Sequence, residues 1–128
     1  MALTLDIGLR LRADLPIFQI GAFQAKLVET LAEWNAETLL RYVYPRLYDS
    51  GVAYRSEPTR DIWRDIPGVL HMGYGDCEDL VAWRLAELWL SNVSARAIVS
   101  PSLDGITHVM VELSDGRLED PSKLLSKG

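Results

Sequence analysis

The chain has 128 residues, 48% of them hydrophobic and 24% charged, with a formal net charge of −5. That length and balance suit one globular core, so residues 1–128 are read as a single domain. The acidic balance argues against a nucleic-acid backbone or an anionic membrane as partner, because both reward clustered Lys and Arg.

Residues 3–12 alternate, with Leu3, Leu5, Ile7, Leu9 and Leu11 set against Thr4, Asp6, Gly8, Arg10 and Arg12. Period two predicts a half-buried strand or hairpin, ended by Pro16. From Ala22 to about Leu47 the spacing turns helical through Leu27, Leu31, Trp34, Leu39, Leu40, Val43 and Leu47. Asn35 is a candidate break giving two helices, and Pro45 a kink or the start of the last turn. Residues 49–76 read as irregular, punctuated by Gly51, Pro58, Pro67, Gly68, Gly73 and Gly75, with Tyr54, Trp63 and Tyr74 between them. A loop of that length carries function or packs its own aromatics.

Cys77–Leu90 is apolar on nearly every side, the pattern of a helix buried in the middle of a domain. Short strands follow at Ala95–Ser100, Thr107–Leu113 and Leu118–Asp120, the last ended by Pro121. Helices first and a small antiparallel sheet after them make the expected class α+β. No apolar run approaches the ~20 residues that cross a bilayer. No positive segment followed by an apolar one is seen at Met1–Asp6, so a cytoplasmic setting is expected.

Cys77 is the only cysteine, which rules out an internal disulfide and favours a reducing compartment. With only His71 and His108 beside it, it makes a poor structural zinc set. It is therefore a core residue or a nucleophile. Gly75-Asp76-Cys77-Glu78-Asp79 sets it in the first helical turn, with Asp76 as N-cap and Asp79 completing a capping box. Unpaired N–H groups and a partial positive charge at that end favour a thiolate. Against this, Asp76, Glu78 and Asp79 surround the thiol with negative charge. Charged His108, Arg84 or a bound calcium ion would offset it.

Alternation along Thr107–Leu113 places His108, Met110 and Glu112 on one face and Thr107, Val109, Val111 and Leu113 on the other. Whether Asp120 meets His108 depends on the turn between their strands. A two-residue Asp115-Gly116 loop sets Asp120 opposite Val111, on the wrong face. A three-residue loop, Ser114-Asp115-Gly116 with Gly116 left-handed, sets it opposite Met110, diagonal to His108. Both loops are common. A histidine oriented by a carboxylate and facing a thiol is what a cysteine nucleophile needs.

Together these segments resemble the transglutaminase-like superfamily, which has a papain-like fold. Gly75-Asp76-Cys77-Glu78-Asp79-Leu80 resembles its cysteine motif, Ala95-Arg96-Ala97-Ile98-Val99 its following strand, His108–Leu113 its histidine strand and Leu118-Glu119-Asp120-Pro121-Ser122 its aspartate motif. The likeness covers roughly residues 54–122. The Gly-Asp-Cys-Glu-Asp run, preceded by Asp61-Ile62-Trp63-Arg64, is most similar to bacterial transglutaminase-like cysteine proteinases. The resemblance implies N-terminal helices and a buried cysteine-bearing helix packed on a small antiparallel sheet, with Cys77, His108 and Asp120 as a catalytic triad. It also implies calcium ligands among Asp76, Glu78 and Asp79. Val109 and Met110 stand where an aromatic often follows the histidine, and the upstream oxyanion donor has no motif, Trp63 and Tyr54 being candidates.

The expected activity is acyl transfer at an amide bond of a protein or peptide, with no obligatory cofactor. Water as acceptor makes a peptidase or deamidase, and an amine makes a transglutaminase. The backbone N–H of Cys77 is the expected oxyanion donor. The alternative is a non-catalytic binding or assembly module on the same fold, associated with a virion or another complex. A third reading is a metal-dependent binding module built on the acidic cluster.

Overall fold

One α-helix, not two, accounts for the helical pattern between Ala22 and Leu47. The computed structural model describes residues 2, 4–6, 17–56, 62–101 and 107–126. Helix α1 runs unbroken over Ile17–Arg41. Val28, Leu31, Ala32 and Asn35 share its buried face, at helical spacing. Asn35 is fully buried, and its Oδ1 accepts from the Ile66 N–H at 3.1 Å. The residue expected to break the helix is a tether inside it, so the two helices expected between Ala22 and Leu47 are corrected to one. Tyr42 N–H still bonds back to Thr38 O, and the chain is then non-helical to a 3₁₀ turn at Leu47–Asp49. Pro45 disfavours helical backbone at the residue before it, which explains why the turn stays open there. Val43, counted in the helical stripe, lies outside the helix and is fully exposed.

Residues 49–76, expected to be irregular, hold several short elements. They are strands β2 (Ala53–Tyr54) and β3 (Ile62–Arg64), helix α2 (Ile66–Met72) and strand β4 (Tyr74–Gly75). Strand β1 (Thr4–Asp6) pairs antiparallel with β3, and β2 pairs parallel with β4. The rest of the strand or hairpin expected over 3–12 lies outside the described residues. Asp65 caps α2 by accepting from Gly68 N–H at 3.1 Å, and also takes the Trp34 indole N–H at 2.9 Å. Gly73 closes that helix at φ 80°, where a side chain would be strained.

Helix α3, Cys77–Leu90, matches its expected span. Leu80, Val81, Ala82, Trp83, Leu85 and Ala86 are fully buried on it. It serves two apolar clusters. One includes Val28, Leu31, Trp63, Cys77, Leu85, Val109 and Val111, and the other Leu47, Val52, Ile66, Val69, Leu80 and Trp83. That double duty explains an apolar surface on nearly every side. The helix ends with Asn92 left-handed at φ 60°, with Val93 N–H on Leu88 O and Asn92 N–H on Trp89 O. Those two bonds satisfy carbonyls the helix would otherwise leave unpaired.

Strands β5 (Ala95–Pro101), β6 (Thr107–Leu113) and β7 (Leu118–Glu119) form an antiparallel sheet in that order. The free side of β5 is covered by α1, whose Glu29 accepts from Ala97 N–H at 3.0 Å. A last helix, α4 (Pro121–Leu125), was not expected; β7 stops one residue short of Asp120, which becomes the N-cap of α4. The class is α+β, and among the described residues no helix is long and apolar enough to cross a membrane.

Candidate active site

The turn after β6 decides which face Asp120 takes. Leu113 N–H bonds Arg117 O at 2.9 Å and Gly116 N–H bonds Leu113 O at 2.9 Å, with Gly116 at φ 88°. The loop is therefore the three-residue one, Ser114–Gly116, with its glycine left-handed. Glu112 pairs with Leu118 and Val111 with Glu119, so Asp120 falls opposite Met110. Its carboxylate then lies diagonal to His108, and His108 Nε2 meets Asp120 Oδ2 at 2.8 Å. Oδ1 of the same carboxylate accepts from Lys123 N–H at 3.3 Å, so the α4 cap and the imidazole hold one side chain from both ends.

The thiol reaches this strand at its edge. Leu113 directs its backbone groups toward β7, and by alternation Val111 and Val109 do the same. Continuing the register, Val109 would face Pro121, but there the chain turns away into α4. Val109 N–H is thereby left facing the Cys77 sulfur, whose pKa it pulls down. Strand β6 thus places Cys77 beside Val109, the residue that follows His108. Asp120 occupies Nε2, which leaves Nδ1 as the ring nitrogen to receive a proton.

Electrostatics hold that thiol in its neutral form. Cys77 is 5% exposed, and burial pushes its pKa well above the usual thiol range. The charges of Glu78 and Asp76 push the same way, as does a hydrogen bond with Glu78, while the Val109 N–H pulls down. Among the described residues no hydrogen bond joins the thiol to the imidazole, whose partner is Asp120. Cys77 N–H, expected to serve an oxyanion, donates to Asp76 Oδ1 at 2.7 Å. That expectation is corrected: the N-cap has taken the donor. Donors that lie near the thiol are the Gln24 amide, which reaches Glu78 Oε1 at 3.3 Å, and the Tyr54 hydroxyl. The Tyr54 pKa is raised by burial and by the charges of Asp76, Cys77 and Glu78. Trp63 packs in the same cluster as Cys77.

The acidic residues divide into two groups. Asp76, Cys77 and Glu78 bring a ligand atom each within 4.8 Å of one another. Asp79 stands apart, 1% exposed, accepting from Arg64 N–H at 2.8 Å and Asp76 N–H at 3.2 Å. Burial pushes its pKa up to about 8 against those two hydrogen bonds. Asp79 therefore completes the capping box and ties β3 to α3, and it is not part of the group formed by Asp76, Cys77 and Glu78. Two carboxylates and a soft sulfur fall short of the six to eight oxygens calcium takes, so among the described residues the set does not fit a resident calcium ion. Arg84 does not offset the charge beside the thiol either. Its guanidinium binds Glu119 at 2.6 Å and Glu87 at 3.3 Å.

Against protein-family models, curated proteins and solved structures, the chain finds no match. Its site is read from geometry and from the motif likeness alone. Two contributors escape a motif search. Gln24 is a polar residue on the helix face that also carries Val28, Leu31 and Asn35, and a polar side chain on a buried stripe is the signal that would have found it. Glu119 looks like an ordinary strand residue until Arg84 is seen to reach it.

Proposed function

We propose that the chain is a thiol-dependent acyl-transfer enzyme of transglutaminase-like character, acting at an amide bond of a protein or peptide. The observation that carries this reading is the register: a three-residue loop sets Asp120 on His108 at 2.8 Å, on the strand whose next residue, Val109, packs in one cluster with Cys77. In this scheme His108 Nδ1 takes the thiol proton and the sulfur attacks the carbonyl carbon. The imidazolium then protonates the leaving nitrogen as the C–N bond breaks, giving a thioester. Water or an amine, deprotonated by the same imidazole, attacks the thioester and releases the thiol. Asp120 fixes the ring orientation and stabilises the imidazolium without itself taking the proton. No cofactor takes part. A divalent cation at Asp76 and Glu78 would supply only charge neutralisation, and no step is routed through one.

A second reading, a non-catalytic binding module on the same fold, is favoured by the buried, neutral thiol with carboxylates on both sides. The rate of Cys77 alkylation by iodoacetamide against pH separates the two. Catalysis requires labelling that falls at least several-fold in His108→Ala and in Asp120→Ala around neutral pH. Equal labelling in all three proteins, following a single high thiol titration, would sink the enzyme reading and leave the binding module.

A further inference from the structure

Asp120 follows directly on strand β7, which pairs through only two residues, Leu118 and Glu119. So short a ladder does little to fix the position of the residue beyond it. A brace comes from α3. Arg84 lies seven residues, two turns, along the helix from Cys77 and so on the same side of it. Its Nε meets Glu119 Oε2 at 2.6 Å and its Nη2 meets Oε1 at 3.4 Å, a two-pronged grip on the residue before Asp120. The Tyr48 hydroxyl donates to the same Oε2 at 2.5 Å, and its ring lies 5.1 Å beneath the guanidinium. The remaining prong, Nη1, meets Glu87 Oε1 at 3.3 Å. Glu87 is itself held, its Oε2 accepting from Leu47 N–H at 2.8 Å and from the Trp83 indole at 3.0 Å. Arg84 is thus anchored in the body of the protein at one side and grips the aspartate strand at the other.

We propose that Arg84 is a positioning residue for the triad: through Glu119 it sets Asp120, and hence the His108 imidazole, at a fixed distance from the helix that carries Cys77. This rests on the acyl-transfer reading. The planar fork is what the job needs, because a lysine supplies the charge without the paired geometry.

The test uses Arg84→Met, Arg84→Lys and Glu119→Gln, each alone and with Asp120→Ala. Two readouts are taken: the pH profile of Cys77 alkylation and the backbone amide exchange of Glu119, Asp120, Ser122 and Lys123. Arg84→Met is expected to slow labelling at neutral pH by about fivefold and to raise exchange over those residues, with Arg84→Lys restoring less than half of the loss. Glu119→Gln, which keeps the side-chain volume, is expected to act in the same direction. In the Asp120→Ala background Arg84→Met should change labelling no further, because the residue it acts through is gone. Losses that multiply in the double variant, full rescue by lysine, or unchanged exchange would overturn the proposal. If exchange rises in Arg84→Met while labelling is indifferent to His108→Ala and Asp120→Ala, the brace stands as structure and it is the triad reading that fails.

Discussion

Replacing Glu78 by glutamine should make Cys77 more reactive, and the size of the gain follows from the site. The Glu78 and Asp76 carboxylates lie within 4.8 Å of the sulfur. One unit charge at that separation and an effective dielectric near 20 opposes a thiolate by about 3.5 kcal/mol, or about 2.5 pH units. The Gln24 amide, donating to Glu78 at 3.3 Å, draws off part of that field. About one unit is then the lower bound for the fall in thiol pKa. A more acidic thiol is also a weaker nucleophile, with a dependence of roughly half a log unit per pH unit. The net expectation is labelling about threefold to twentyfold faster than wild type below the thiol pKa. Iodoacetamide labelling from pH 6 to 9, followed by mass spectrometry, reads this directly. Unchanged or slower labelling in Glu78→Gln across that range would show that the carboxylate does not govern the thiol, and the electrostatic account of Cys77 would have to be abandoned.

Other consequences follow from the fold and its charges. With the Asp79 pKa raised to about 8, the folded chain keeps a proton that the unfolded chain releases at ordinary aspartate pH. This group's stabilisation is therefore present below about pH 4 and is lost as the pH rises toward 8. Urea midpoints should accordingly fall over that window in wild type relative to Asp79→Asn, and parallel curves would contradict it. Gly116→Ala, at φ 88°, should cost about 1–2 kcal/mol in urea unfolding, with Gly116→Asn recovering part of it, because asparagine tolerates the left-handed region. Asn92→Gly, at the left-handed end of α3, should raise stability by up to about 1 kcal/mol, and a drop would show that the asparagine side chain has a role of its own.

The parts legible in the sequence were those whose pattern is long or whose chemistry is local. Helix α3 shows its burial because its apolar residues face two clusters, and the β6 strand shows it by alternation. Gly116 made the three-residue loop readable as one of two options, but choosing between them needed backbone hydrogen bonds that no dipeptide specifies. The elements within 49–76 were invisible for a different reason. β2, β3 and β4 are two or three residues long, and α2 is held by Asn35, Trp34 and Asp65, partners from elsewhere in the chain or just outside the helix. Asn35 itself misled because propensity treats a mid-helix asparagine as a weakness, whereas here its carbonyl is needed by the Ile66 N–H.

The start of α3 sets two requirements against each other. Capping asks for acceptors there, and Asp76 and Asp79 supply them, in doing so taking the Cys77 N–H and tying down β3. A nucleophilic cysteine asks for donors and positive charge, and the helix end alone no longer offers its first N–H. What remains to favour a thiolate comes from the sheet, as the Val109 N–H, which pulls the thiol pKa down. That N–H and the seating of Asp120 on His108 both depend on where β7 ends. If β7 ran two pairs further, to Pro121, its backbone would cover Val109 and carry Asp120 beyond its cap. Asp120-Pro121 stops it at the point that leaves the N–H open and turns the carboxylate onto His108. The Asp-Pro pair is thus as much a determinant of the site as the cysteine, and lengthening β7 would abolish the site without touching any of the three proposed catalytic side chains.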